Sequence, residues 1–159
     1  MRAAVLTVSD RVSRSEAVDA SGDLLAELLA ADGHAVVRRV VADEAAQIAA
    51  AIEDLAGNAS LVLTTGGTGL APRDVTPEAT RTVLQREAPG IAEALRADSI
   101  AKTPHGLLSR GVAGTLGHTL VVNLPGSPGG CRDGYAVLRP ALDHAVALLD
   151  DRATPHTQS

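Results

Sequence analysis

The chain is expected to fold as an α/β domain, a mostly parallel sheet flanked by helices with one antiparallel strand pair. Two observations predict this. Apolar runs of strand length alternate with helix-periodic segments in β-α-β-α-β order through residue 64, the order that builds a parallel sheet with helices on its faces. Further on, Gly117-His118 separates two strand-like runs by two residues with glycine first, which suits a hairpin turn and an antiparallel pair.

The elements follow in order. Residues 3–8 (Ala-Ala-Val-Leu-Thr-Val) read as a buried strand. Residues 21–32 read as a helix, because Leu24, Leu25, Leu28 and Leu29 share a face and Gly33 stands just past its end. The valine-rich residues 34–41 form a second strand, with Arg38-Arg39 as a solvated edge. Ala45, Ile48, Ala49, Ile52 and Leu55 repeat at helical spacing, so residues 43–56 form the clearest helix, ended by Gly57-Asn58. Residues 61–64 are the third strand. Thr76-Pro77 has the chemistry of an N-cap followed by a first-turn proline, and opens a helix to about residue 86. After a break at Pro89-Gly90, residues 91–101 are helical, and residues 112–116 and 119–124 are the hairpin strands. Tyr135, Leu138, Leu142, Val146 and Leu149 make a last helical stripe, which Pro140 is expected to kink or split. Residues 1–150 make one domain and residues 151–159 a frayed tail.

Composition excludes several classes of function. Tyr135 is the only aromatic residue and the net charge is −5, which disfavours both base stacking and a broad phosphate-backbone footprint. Nucleic acid is therefore not expected as a partner. Cys131 is alone, so neither an intramolecular disulfide nor a cysteine zinc cluster can form; a small buried side chain is expected. The histidines (34, 105, 118, 144 and 156) lack metal-ligand spacing and are read as structural or surface residues. No stretch is long and apolar enough to span a bilayer, and residues 3–8 are too short for a signal peptide. A cytoplasmic protein is expected.

The most informative segment is Thr64-Thr65-Gly66-Gly67-Thr68-Gly69, followed by Pro72-Arg73-Asp74-Val75-Thr76-Pro77-Glu78. Glycines after a strand let the backbone turn sharply and leave N–H groups uncovered, which suits an anion. A carboxylate arriving a few residues later suggests phosphate with Mg²⁺. Polar loops also follow the other strands: Ser9-Asp10-Arg11, Ala42-Asp43 and Asn123-Leu124-Pro125-Gly126-Ser127-Pro128. In parallel sheets these loops share the C-terminal edge, where ligands bind. The glycine run alone is equally a tight strand-to-helix connection. Asp43 alone reads more simply as a helix N-cap. Asp74 has less structural excuse, because Thr76 already serves as the cap. No Walker A lysine follows the glycines, and Lys102 is the single lysine, so amides, arginines and a metal held by aspartate must supply positive charge.

Three segments, residues 64–69, Pro72-Arg73-Asp74-Val75-Thr76-Pro77-Glu78-Ala79-Thr80, and Ser109-Arg110 through Asn123-Leu124-Pro125-Gly126-Ser127-Pro128, together resemble the MogA/MoaB-type molybdopterin adenylyltransferases of molybdenum cofactor biosynthesis. The resemblance runs from residue 3 to residue 149, and the order and spacing of the motifs are more specific than any one of them. It implies a three-layer α/β/α domain, commonly a homotrimer, that transfers AMP from Mg-ATP to the terminal phosphate of molybdopterin and releases pyrophosphate. It further implies Asp74 and Asp43 as acidic catalytic and Mg²⁺-holding residues. By the same resemblance Ser99, Ser109 and Arg110 lie on the molybdopterin side. Thr65, Gly66, Gly67, Thr68 and Gly69, with Asn123, Pro125, Gly126 and Ser127, hold phosphate and nucleotide. Hand-over to a molybdenum-insertion protein is implied as well. Two positions depart from the pattern: His118 and Gly129 stand where members often carry a basic residue, which thins the positive field expected near the last strand. The rival reading is a non-catalytic module of the same fold that binds or delivers molybdopterin, since fold alone does not fix chemistry.

Overall fold

The computed structural model describes residues 1–150; the expected tail at 151–159 lies outside the described residues. The elements are β1 (Arg2–Val8), α1 (Asp10–Ser13), α2 (Ala20–Ala31), β2 (Ala35–Val41), α3 (Ala45–Ala56), β3 (Leu61–Thr65), α4 (Thr76–Val83), β4 (Arg86–Glu87), α5 (Pro89–Lys102), a 3₁₀ turn (Pro104–Leu108), β5 (Ala113–Leu116), β6 (Thr119–Leu124) and α6 (Pro128–Leu149). They form a six-stranded sheet in the order β2-β1-β3-β6-β5-β4. β2, β1, β3 and β6 run parallel, and β5 is antiparallel to both its neighbours.

Burial explains why the central strands are apolar at consecutive positions. Successive side chains of a strand point to opposite faces, and here both faces are covered. Val5, Leu63 and Val122 pack with Leu25 and Leu29 of α2 and with Cys131, Tyr135, Leu138 and Leu142 of α6. Leu6, Val62 and Val121 pack on the other side with Ile48, Ile52 and Leu55 of α3 and Ala79 and Val83 of α4. The three-layer sandwich follows from this alternation. Because α2 lies on one face and α3 on the other, the chain order reverses at β1, and the C-terminal ends of β1 and β3 form a topological switch point.

The expected hairpin is present, with Gly117 at φ +58° in its turn. The sequence reading is corrected at four places. The helix from residue 76 stops at Val83, because Gln85 and Ala88 donate their amides to Thr115 and Ala113 and draw Arg86–Glu87 into a short edge strand. Thr76 is the first helical residue and Val75 the cap. Glu44 caps α3 without a side-chain bond, so Asp43 is not its N-cap. Pro140 neither splits nor ends α6, which continues from Pro128 to Leu149. The reason is position: Pro140 and Ala136, whose carbonyl loses its helical partner, both lie on the exposed face, where water can satisfy it.

Replacing Pro140 by alanine restores that hydrogen bond, and the gain exceeds the added freedom of the unfolded chain. P140A is expected to raise stability by about 1–2 kcal/mol, read as a higher urea midpoint at constant m-value.

Candidate functional site

Sheet geometry brings the loops after β1, β2, β3 and β6 to one rim. The exit of β3 decides its shape. Gly66 (φ +98°) and Gly67 (φ +68°) take left-handed conformations, and a Cβ on Gly66 would stand 2.3 Å from the carbonyl oxygen of Val8. Only glycine meets both conditions. The turn is pinned by Thr76, whose buried hydroxyl donates to the Gly66 carbonyl (2.9 Å) and whose amide donates to the Gly67 carbonyl (3.1 Å). Downstream, the amides of Gly67, Thr68 and Gly69 donate to no protein acceptor among the described residues. Consecutive uncommitted amides of this kind make an anion-binding concavity.

Two carboxylates flank that concavity. A Cβ on Gly67 would lie 3.2 Å from Asp43 Oδ1, and a Cβ on Gly69 would lie 2.9 Å from Asp74 Oδ2. Asp43 is braced by reciprocal bonds with Asp10: its Oδ2 accepts the Asp10 amide (2.9 Å), and its own amide donates to Asp10 Oδ1 (3.0 Å). Arg73 then closes the rim, donating to both Asp10 oxygens (2.6 and 3.1 Å) and to Glu44 (3.0 Å). Asp74 Oδ2 also accepts the Ala71 amide (3.0 Å), which sets the turn that carries it.

On the other side of the loop lies a pocket of about 370 Å³ between α5, the 3₁₀ turn and the start of α6. Its lining brings together Thr68, Gly69, Ser99, Ser109, Asn123, Pro125 and Ser127 from widely separated segments. The glycine loop is thus the wall shared by the carboxylates and the pocket.

The sequence carries a further signature. Residues 4–144 match the family described as "Probable molybdopterin binding domain". The chain belongs to this MogA/MoaB-type family. MoaB from Thermus thermophilus has a solved structure that superposes with a TM-score of 0.87 at 46% identity, covering 93% of this chain and 95% of that one. A protein named molybdopterin adenylyltransferase from Helicobacter pylori strain J99 is 37% identical over 91% of this chain and 85% of its own length. A molybdenum cofactor biosynthesis bifunctional protein from Synechococcus elongatus is 43% identical over 92% of this chain but 47% of its own length. The chain spans about half, or less, of the first curated relatives that it matches.

Within this MogA/MoaB-type domain, several residues read as ligand-facing are committed to the scaffold. The Thr65 hydroxyl is buried and donates to the Pro125 carbonyl (2.7 Å), beside Ser21 and Cys131. Burial pushes the Cys131 thiol up to about 11, so it is inert as a nucleophile. Asn123 borders the pocket, yet its amide donates to Thr64 and Thr80 (2.9 and 3.1 Å) and its oxygen accepts the Val112 amide (3.1 Å). The Ser127 oxygen caps α6 by accepting the Gly130 amide (3.1 Å). Gly126 packs backbone to backbone on Gly66. Arg110 does not line the pocket; its guanidinium holds Gly69, Asp74 and Glu78. His118 sits in the β5–β6 turn, at the far end of β6 from Leu124, roughly 17 Å along the strand. Its ring bonds the Leu149 carbonyl, so the departure there does not bear on the rim.

The sequence reading missed the pocket's charged lining: Arg96, Lys102, His105, Asp98 and Asp133. Lys102 bridges Asp98 (2.9 Å) and Asp133 (3.5 Å), and the Asp98 carboxylate holds its ammonium above the usual lysine range. Its i,i+4 spacing from Asp98 was visible, but Asp133 arrives from another helix. Asp10 was seen as part of a polar loop without its bracing role.

The rim carboxylates differ in charge affinity. The Arg73 guanidinium, then the Asp43 amide, hold Asp10 below the ordinary carboxylate range. Burial raises Asp43, and the charges of Asp10 and Asp74 add to this against the Asp10 amide. A carboxyl whose folded pKa is raised binds its proton more tightly when folded. It therefore penalises folding once pH exceeds its unfolded value. D43N removes that penalty while keeping an oxygen for the Asp10 amide. Its thermal midpoint is expected to exceed that of the wild type at pH 7, and the difference to shrink below the folded pKa of Asp43. Asn123→Leu is expected to destabilise by about 2–4 kcal/mol through the orphaned Val112 amide and the threonine hydroxyls, measured by urea unfolding.

Proposed function

We propose that the protein is a molybdopterin adenylyltransferase, which transfers AMP from Mg-ATP to the terminal phosphate of molybdopterin and releases pyrophosphate. The observation that carries this reading is the glycine loop standing as a common wall between the carboxylate pair and the pocket. The name of the Helicobacter relative supports the activity. A phosphate oxygen of molybdopterin attacks the α-phosphorus, the bond from that phosphorus to the bridging oxygen breaks, and pyrophosphate leaves. Such a transfer needs alignment and charge neutralisation more than a nucleophilic side chain.

The residues fit Mg²⁺. Asp43 Oδ1 and Asp74 face positions that side chains at Gly67 and Gly69 would fill, and both offer hard oxygen donors. Among the described residues no three His, Cys, Asp or Glu side chains converge to hold a metal by themselves. This accords with an ion that takes one or two carboxylates and draws its remaining ligands from substrate phosphates and water. Mg²⁺, when bound, neutralises triphosphate charge. The amides of Gly67 to Gly69 receive phosphate oxygens, and the pocket containing Ser99 and Ser109 receives the pterin, with Lys102 and Arg96 as its cations. Asn123, Thr65 and Pro125 shape the floor beneath the nucleotide and phosphate. Residues 1–150 act as one domain, a homotrimer in the cytoplasm, and the adenylylated product passes to a molybdenum-insertion protein. Relatives named as bifunctional proteins of the same biosynthesis support that hand-over.

The test is pyrophosphate release from Mg-ATP with and without molybdopterin, beside D74N. Release that requires molybdopterin and falls at least about 100-fold in D74N, with the unfolding midpoint retained, is the expected outcome. No release despite tight molybdopterin binding would instead assign a carrier.

A further inference from the structure

We infer that Arg110 is a positioning residue that clamps the glycine loop to the Asp74 turn, rather than a contact to the pterin. The inference rests on the reading of Asp74 and the loop as the phosphate and metal site.

Three groups of one guanidinium reach three different pieces of chain. Nε donates to the Gly69 carbonyl (2.8 Å), Nη2 to the Asp74 carbonyl (2.7 Å) and Nη1 to the Glu78 carboxylate in the first turn of α4. The backbone adds a fourth link, the Arg110 amide donating to the Thr68 carbonyl (2.9 Å). Gly69 and Asp74 are the two ends of the excursion 69–74. One planar fork therefore fixes the separation between the last loop amide and the carboxylate. A lysine, as a point charge, cannot reproduce that fork. The neighbours on either side, Ser109 and Gly111, line the pocket, whereas Arg110 does not. Its direction is away from the pterin and into the loop.

Arg73, within the excursion, ties it to Asp10 and Glu44, but among the described residues no other side chain bonds both Gly69 and Asp74. Thr76 pins Gly66 and Gly67, ahead of it, and the Ala71–Asp74 bonds are internal to it. Without Arg110 the carbonyls of Gly69 and Asp74 turn to solvent, and the Asp74 carboxylate loses its fixed place beside Gly69. Loss of an outer partner of a metal-holding group weakens the metal site without touching a ligand held elsewhere.

The experiment compares wild type, R110M and R110K by three readouts. These are amide hydrogen exchange at Ala71 and Asp74, the amides of the excursion that are hydrogen-bonded, the Mg²⁺ concentration needed for half-maximal ATP binding by calorimetry, and the affinity for molybdopterin. In R110M the Ala71 and Asp74 amides are expected to exchange at least about tenfold faster with sheet amides unchanged, and the Mg²⁺ requirement to rise at least about tenfold. Molybdopterin affinity stays within about twofold. R110K is expected to lie between the two, since one carbonyl can be regained. Weakened molybdopterin binding with unchanged loop exchange would overturn the inference in favour of a pterin contact. Faster exchange throughout the sheet would overturn it in favour of a general structural role. If wild type binds molybdopterin and releases no pyrophosphate, the proposed activity fails, while loop exchange still decides whether Arg110 is the clamp.

Discussion

The tight exit of the third strand is the constraint on which the rest of the rim depends. Gly66 presses its Cα against the backbone of β1 so closely that a methyl group would collide with the Val8 carbonyl. That approach brings the ends of β1 and β3 into contact at the switch point of the sheet. It also directs the chain outward with its next three amides uncommitted. A residue with a side chain at Gly66 would push β3 away from β1 and carry the amides, Thr76 and the start of α4 with it. The site is thus a consequence of how two central strands finish, and less of any residue dedicated to ligand.

A second consequence is electrostatic. Four strand ends on one rim collect Asp10, Asp43 and Asp74, and at Asp43 the charges of the other two add to the proton affinity that burial already raises. The fold answers unevenly. Arg73 and the Asp43 amide neutralise Asp10, while Asp43 keeps one oxygen toward the loop and remains reluctant to ionise. That asymmetry separates a carboxylate committed to the scaffold from one with an oxygen left facing the loop, at the cost of lower stability at neutral pH.

Polar residues under the loop serve a different purpose from those on it. Thr64, Thr65, Thr80 and Asn123 are buried, and they satisfy one another and the backbone carbonyl of Pro125 and amide of Val112. A buried network of this kind is stable only when every member is paired, and among the described residues no buried side-chain nitrogen or oxygen lacks a partner. The motif Asn123-Leu124-Pro125-Gly126 therefore reads as ligand-binding from outside while its side-chain chemistry faces inward.

How much could be read in advance depended on the range of each interaction. Strand and helix order, the hairpin at Gly117-His118 and the special glycines were legible because local backbone preference and apolar periodicity set them. The end of α4 was not, because Arg86–Glu87 extends only by pairing with β5, almost thirty residues later. Pro140 misled for a similar reason: whether a proline breaks a helix depends on whether water can reach the carbonyl it orphans. The sequence by itself determined the layered α/β architecture and the rim at which polar loops converge. It could not decide which polar atoms on that rim remain free. Hydrogen-bond partners are chosen by distances between segments far apart in the chain, so only the tertiary structure assigned Asn123, Thr65 and Arg110 to the scaffold and left the loop amides and Asp43 Oδ1 to face outward.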